Sequence, residues 1–483
     1  MATEELTALL EQVEAKRPNS IAPGAVPTPT LEYRAHRRLM RAANPVTTQA
    51  PGPIPLPVPI PVPIPLLVGP RVLMWKQDPS VAEIGIRKSF LPRPVSTGPR
   101  DARINVAITG MPAVVANALG DFIQTPLTAE FDAVHTFAVV RQTLTMYQRA
   151  LAVGTTLATV PWRWNGPTNS DPIQVQPRHS QMMNAFYSPG QRLLAFGHFM
   201  QGTAQIFTCR SFDIVAHETG HAVLDGLKPN WISAANPQTG GLHESFGDLT
   251  AIFLALSQLD QAEAVIAQTK GNLHDKTFLS DLAEQFGLAL GRPNGLRNAD
   301  NDLRLSQVSN EVHAISQVFT GAIYDVLADI YSFERRAVKD DAIVLYDSAR
   351  YLLSLVMRAI VASPSAGATY ADVANQMLLI ANADGKPVEY RNFIRNRFTV
   401  REIVVSPTPL TADISETVRL EESPVSAALA QLPQDRTGCC GTMTLPENNG
   451  IEAVIDEELT AFRDALKAEA AERSRAAIAK DRK

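Results

Sequence analysis

Two histidines four residues apart, in "DIVAHETGHAVLDG" at positions 213–226, constrain this chain more than any other stretch. On a helix that spacing puts both imidazoles on one face, about a turn apart, so His217 and His221 are close enough to share one tetrahedral cation. Glu218 stands beside that face. In an H-E-x-x-H zinc site the glutamate does not bind the metal but lies near its open position, where it can take a proton from water. A catalytic zinc needs a third protein ligand and an open fourth position, so a second element has to meet this helix. The competing reading, two histidines satisfied inside a core, demands no such partner.

"GGLHESFGDLTAIF" at 240–253 supplies one. Glu244 lies 23 residues after His221, and Asp248 follows one helical turn later, so one helix face carries a ligand carboxylate and a second acid. That second acid can accept the other ring N–H of a ligand histidine, fixing its tautomer and raising its basicity. His243 points about 100° away from Glu244 on the same helix, which places it at the surface or on a pocket rim.

With these residues in place, the chain resembles the thermolysin-like gluzincin peptidases. "DIVAHETGHAVLDG" and "HESFGD" are similar to that family's two metal helices. "FDAVHTFAVVRQTLTMYQRAL" resembles its early helix, and "HSQMMNAFYSPGQRLLAFG" its substrate-binding edge strand and preceding turn. "GLRNADND", "NEVHAISQVFTGAIYDVLADIY" and "ATYADVANQMLLIA" then follow in the expected order, so the likeness covers roughly positions 103–400. It implies an α+β, thermolysin-like zincin fold: a β-rich N-terminal lobe (103–228) that includes the zinc helix, and a mainly helical C-terminal lobe (229–400). The zinc-site helix lies between the two.

The resemblance also implies roles. Zn2+ falls to His217, His221 and Glu244, the general base to Glu218, and the partner of the first histidine to Asp248. His313 matches a histidine that stabilises the oxyanion, and an imidazole N–H is a suitable donor there because charge develops only as water attacks. Asn184 and Ala185 match residues that hold the substrate main chain, and Arg297 a guanidinium that clamps a substrate carbonyl. Ile214 and Leu296 match walls of an apolar pocket on the leaving-group side, which implies cleavage before bulky apolar residues.

The chain departs from the family at three places. The aspartate expected five residues before the oxyanion histidine is Val308, so Ser309, Asn310 or Glu311 has to substitute. A tyrosine that assists the oxyanion has no match, and Trp231 is only nearby. Asp213 of the family's double calcium site is present, but the helix position of a calcium-binding glutamate is Ala255, which implies little or no calcium dependence.

Outside this region the residues speak about organisation. Segment 1–50 opens on a short amphipathic pattern, Leu6, Leu9, Leu10 and Val13 behind Thr3, and later clusters Arg34, Arg37, Arg38 and Arg41. In 51–70, proline fills every odd position from Pro51 to Pro65. Rings that clash and missing N–H groups exclude a helix, so this apolar run is extended, as a stiff spacer or an edge strand, and not a membrane span. Positions 71–102 read as a connection and 401–450 as a linker rich in Pro, Ser, Thr and Gly. In 451–483, Ile451, Val454, Ile455, Leu459, Phe462 and Leu466 mark a charged amphipathic helix. Either this helix or the Pro-rich segment can attach a protein partner.

With 44 basic and 49 acidic residues the chain offers no net charge that would favour nucleic acid. Cys209, Cys439 and Cys440 cannot build a disulfide framework or a four-thiolate zinc site. The acidic start "MATEELTALLEQVEAKRP" lacks the basic and apolar regions of a signal peptide, so the expectation is a cytoplasmic protein or export by a non-Sec route. The expected activity is zinc-dependent endopeptidase hydrolysis of a peptide or protein. The alternatives are an aminopeptidase of the same zinc class and a catalytically weak or inactive zincin module serving assembly or delivery.

Overall fold

In the computed structural model, residues 69–403 are described except 82, 93, 152–171, 284, 286 and 288–294. The N-terminal helical pattern, the Pro-rich run up to residue 68, the linker from 404, the C-terminal amphipathic pattern, Cys439 and Cys440 all lie outside the described residues.

The first described element comes earlier than the resemblance reaches. β1 (Arg71–Trp75) alternates exposed and buried side chains and pairs antiparallel with β2 (Ile86–Phe90). Val72 and Met74 are fully buried, and β1 packs on the long helix α1 (Ala129–Leu151). The stretch read as a connection thus contributes to the core. α1 begins where Thr128 Oγ1 accepts from the Phe131 N–H at 3.2 Å, with Glu130 and Asp132 in its first turn and Arg149 in its last, as the helix dipole favours.

α1 lies beside a four-stranded sheet of order β3 (Ile104–Val106), β4 (Ile173–Gln176), β6 (Leu193–Phe196), β5 (Ala185–Ser188). β3–β4 and β4–β6 are parallel, β5–β6 is an antiparallel hairpin, and β5 is left at an edge. Alternation decides the faces. Ile104, Val106, Ile173, Val175, Tyr187, Leu194 and Phe196 join the main core, whereas Phe186, Leu193 and Ala195 face the other way and cluster with Met182. A second hairpin, β7 (His198–Gln201) and β8 (Ala204–Phe207), turns at Gly202, whose φ of 59° favours a residue without Cβ.

A buried ionic node then sets the start of the next helix. Asp132 of α1, wholly buried, accepts from Arg178 Nη2 at 2.6 Å and Arg210 Nε at 2.8 Å, and both guanidiniums lie 4.3 Å from the centre of the Phe207 ring. Arg210 immediately precedes α2 (Phe212–Leu227), whose N-cap is Ser211. Removing one partner of such a buried group costs about 3–5 kcal/mol, so the node anchors α2 against α1.

Among the described residues the regular elements after α2 are helices, apart from the two-residue pair β9 (Asp281–Leu282) and β10 (Arg297–Asn298). The helices are α3 (Pro237–Leu256), α4 (Leu259–Thr269), α5 (Val312–Glu334), α6 (Asp341–Ala362), α7 (Tyr370–Ala383) and α8 (Val388–Val400). The chain is therefore α+β, with most strands, and α1 among them, before α2 and mainly helices after it. α3 starts at Asn236, whose side chain accepts from the Gln238 N–H, with Pro237 at its first position. Every residue of α3 is buried, between α2 on one side and α5 on another. Among the described residues no single helix is long and apolar enough to cross a membrane; α3 and α4 reach that composition only as a pair bent by 93°, and α3 is a core helix.

Small residues let α3 approach its neighbours. A Cβ on Gly247 would lie 2.6 Å from the His217 ring, and one on Gly220 of α2 would meet Thr250 and, at 3.2 Å, the Cα of Gly247. Neither position has room for a methyl group. Gly247→Ala should therefore cost about 1–3 kcal/mol in denaturant titration, as overpacking does. Gly190→Ala, whose Cβ would meet nothing within 4 Å, should be near neutral. Equal stability of the two variants would contradict the close crossing.

Candidate metal centre

The α2–α3 crossing brings together the residues that spacing singled out. His217 and His221 stand one turn apart on α2, their ring centres 4.6 Å apart and their planes at 87°. Glu244 of α3, fully buried, holds Oε2 at 3.5 Å from His217 Nε2 and Oε1 at 3.4 Å from His221 Nε2. Zinc held tetrahedrally at about 2.0–2.1 Å implies ligand–ligand edges of roughly 3.3–3.4 Å. The donor set fits that ion in both chemistry and spacing.

The candidate donors of His217, Glu218 and His221 also lie within 4.8 Å of one another, so Glu218 competes with Glu244 for the third place. The surroundings separate the two. Glu218 lines an adjoining cleft with His217, whereas Glu244 is no part of that cleft's wall. Both carboxylates are almost fully buried, and of the two only Glu218 is on the wall of that cleft.

Each histidine has its own partner at Nδ1. For His217 it is Asp248, at 3.0 Å. Arg297 places Nη2 at 2.7 Å and Nε at 3.0 Å from the same Asp248 oxygen. Burial would raise the Asp248 pKa, but Arg297 and His217 together hold it below the usual carboxylate range. Asp248 therefore stays charged, accepts the His217 Nδ1–H and leaves the Nε2 lone pair turned toward Glu244. Arg297 Nη2 also comes within 3.3 Å of His217 Nδ1, but a guanidinium cannot accept a proton, and that contact follows from their shared acceptor.

For His221 the partner is His243, with Nδ1 to Nδ1 at 2.7 Å and the rings at 4.9 Å and 29°. The surface or rim position expected for His243 is wrong: it is wholly buried. A turn of 100° from Glu244 would reach solvent on a one-sided helix, but α3 is enclosed all round and that direction leads to α2. Burial pushes the His243 pKa down to about 4 and the His221 pKa well below the ordinary range, the latter despite Glu244 beside it. Burial acts on Glu244 in the raising direction, yet His313, His221 and His217 hold its carboxyl well below the usual value.

His313 enters from the first turn of α5. Its Nε2 lies 3.2 Å from Glu244 Oε2 and its Nδ1 2.5 Å from Glu311 Oε1. The orienting acid missing at Val308 is thus replaced by Glu311, one of the three candidates. Glu311 also caps α5, accepting from the backbone N–H groups of His313 at 3.1 Å and Ala314 at 2.8 Å. One side chain starts the helix and aims the ring. Trp231 contributes nothing comparable: its indole is buried and Nε1 donates to Pro364 O at 3.0 Å.

Asn184, Ala185, Ile214, Leu296 and Arg297 all line one cleft, which reaches His217 and Glu218. Phe199, Ile206 and Ala283 form a small apolar cluster against which Met183, Ile214 and Leu296 pack, so one side of the cleft is hydrophobic. Asn184 Oδ1 accepts from the Ala185 N–H at 2.9 Å, fixing the start of edge strand β5. Asp213 also lines the cleft and accepts from the Ala283 N–H at 3.2 Å, while Ala255 is packed in the core. Cys209 is buried, and burial raises its thiol pKa well above the ordinary value, so it is a core residue without thiolate character.

Glu311→Ala should lower stability by about 0.5–2 kcal/mol through loss of the cap. A crystal structure of that variant should show the His313 ring turned away from Glu244; an unmoved ring at unchanged stability would contradict the double role. No family model and no curated protein matches this chain.

Proposed function

We propose that the chain is a zinc metalloendopeptidase with a thermolysin-like zincin fold. The observation that carries this reading is the convergence of two imidazole Nε2 atoms from α2 on the two carboxylate oxygens of Glu244 from α3, at tetrahedral spacing and beside a cleft walled by Glu218. His217, His221 and Glu244 would hold the zinc, which, when bound, supplies Lewis-acid activation of water and polarisation of the scissile carbonyl.

The protein's own groups divide the remaining work. An extended substrate runs along the edge of β5, held by main-chain contacts at Ala185 and by the Asn184 amide, in the manner of strand addition. Arg297, steadied by Asp248, meets a substrate carbonyl. As the water oxygen attacks the carbonyl carbon, Glu218 takes the water proton, and when the C–N bond breaks it passes that proton to the leaving amine. His313 acts in its doubly protonated form: Glu311 accepts from Nδ1–H and holds the ring in place, and Nε2–H is presented to the oxygen on which negative charge develops. Ile214 and Leu296 form the apolar wall that favours a bulky hydrophobic residue on the leaving-group side.

The purified chain should carry about one zinc, lost on His217→Ala, His221→Ala or Glu244→Ala. Glu218→Gln should keep the zinc while losing about 10²–10⁴-fold in kcat on a peptide blocked at its N-terminus. Undiminished turnover in that variant would refute the base. Zinc binding with no hydrolysis across a peptide library would favour an assembly or delivery module, and turnover confined to free N-termini an aminopeptidase. Profiling of cleaved bonds should show Leu, Ile or Phe following the scissile bond.

A further inference from the structure

We propose that His243 is a positioning residue that fixes His221 as its Nδ1–H tautomer, so that the His221 Nε2 lone pair is presented to the metal. The inference rests on the zinc reading above and assigns a role to a residue that reading does not use.

The geometry leaves two arrangements. With the Nδ1 atoms 2.7 Å apart, a single proton lies between the rings, on one nitrogen or the other. A neutral imidazole has one N–H and one lone pair. If His243 were the donor, the His221 proton would sit on Nε2 and point at Glu244 Oε1, 3.4 Å away, in the place a metal needs. If His243 accepts, Nε2 of His221 is bare. Only the second arrangement leaves two lone pairs, from His217 and His221, facing the Glu244 carboxylate. His243 Nε2 has no hydrogen-bond partner among the described residues in either case, so that atom does not choose between them.

The consequence is an asymmetric site. His217 leans on a charged carboxylate, Asp248, whereas His221 leans on a neutral ring. His243 adjoins Glu244 on α3, so the helix that brings the third ligand also orients the second. Burial makes the contact unforgiving, because neither ring has solvent to turn to when its partner is removed.

The test uses the full chain, zinc alone as the probe, and competition with a chelator of known affinity. His243→Leu should weaken zinc binding about 10–100-fold, the usual cost of losing an outer partner of a ligand histidine. His243→Asn, whose side-chain oxygen can accept from the same N–H, should return affinity to within a few-fold. In the zinc-free wild type with ¹⁵N-histidine, where no metal fixes the ring, a long-range ¹H–¹⁵N spectrum should show the His221 proton on Nδ1, which decides the matter even if a variant does not fold. Unchanged zinc affinity in His243→Leu, or a proton on Nε2, overturns the assignment while leaving the zinc reading intact. A wild-type chain that binds no zinc overturns the reading itself and the assignment with it.

Discussion

Everything at the centre depends on how closely α2 crosses α3. Helices usually pack with axes about 8–10 Å apart, set by the side chains between them. Here the intervening residues are glycines: Gly247 lies under the His217 ring, and Gly220 lies against Thr250 and the Gly247 backbone. The positions of the donor atoms are consequently fixed by two backbones in contact, and short side chains suffice to bring them together. A longer separation would need flexible reach, and flexible reach would blur a geometry that tolerates only a few tenths of an ångström.

Such a centre is costly to bury, and the structure shows where the cost is offset. Glu244 and Asp248 are both carboxylates in a dry interior, which alone would favour their protonated forms. Arg297 meets Asp248, and three imidazoles surround Glu244. Burial drives His221 itself toward neutrality, the state in which a ring nitrogen can ligate.

Much of this was legible in the sequence because periodicity and spacing are local properties. A spacing of four from His217 to His221 and of four from Glu244 to Asp248 defines two helix faces, and the structure puts those faces together. The five residues matched to substrate contacts, though scattered from Asn184 to Arg297, share one cleft with Glu218. What failed was knowledge of what surrounds a helix. Helix rotation alone puts His243 at the surface or on a pocket rim, because it says which way a side chain points but not whether protein lies there. The composition of α3, with Gly240, Gly241, Ser245, Gly247, Thr250 and Ala251 spread around every face, carried the missing signal: a helix this small and apolar all round is enclosed. The β1–β2 hairpin was missed for a different reason. Five-residue strands give too short an alternation to stand out, and it is burial against α1, a contact distant in sequence, that makes Val72 and Met74 core residues.

The cleft joins these elements into a single requirement on what enters it. Edge strands are normally blunted or covered because their bare backbone groups recruit other chains. β5 pairs with β6 on one side, and its Ala185 lies in the wall of the same cleft as His217 and Glu218. An extended backbone can satisfy such an edge, whereas a helix or a compact surface cannot present its amides in register. The selection for an extended chain and the placement of Glu218 beside it would, on the proposed reading, both follow from one arrangement, α2 packed against β5 and β6 with Ala185, His217 and Glu218 in one cleft. On the proposed reading, that arrangement lets hydrogen bonds made far along the substrate position the one carbonyl that lies beside Glu218.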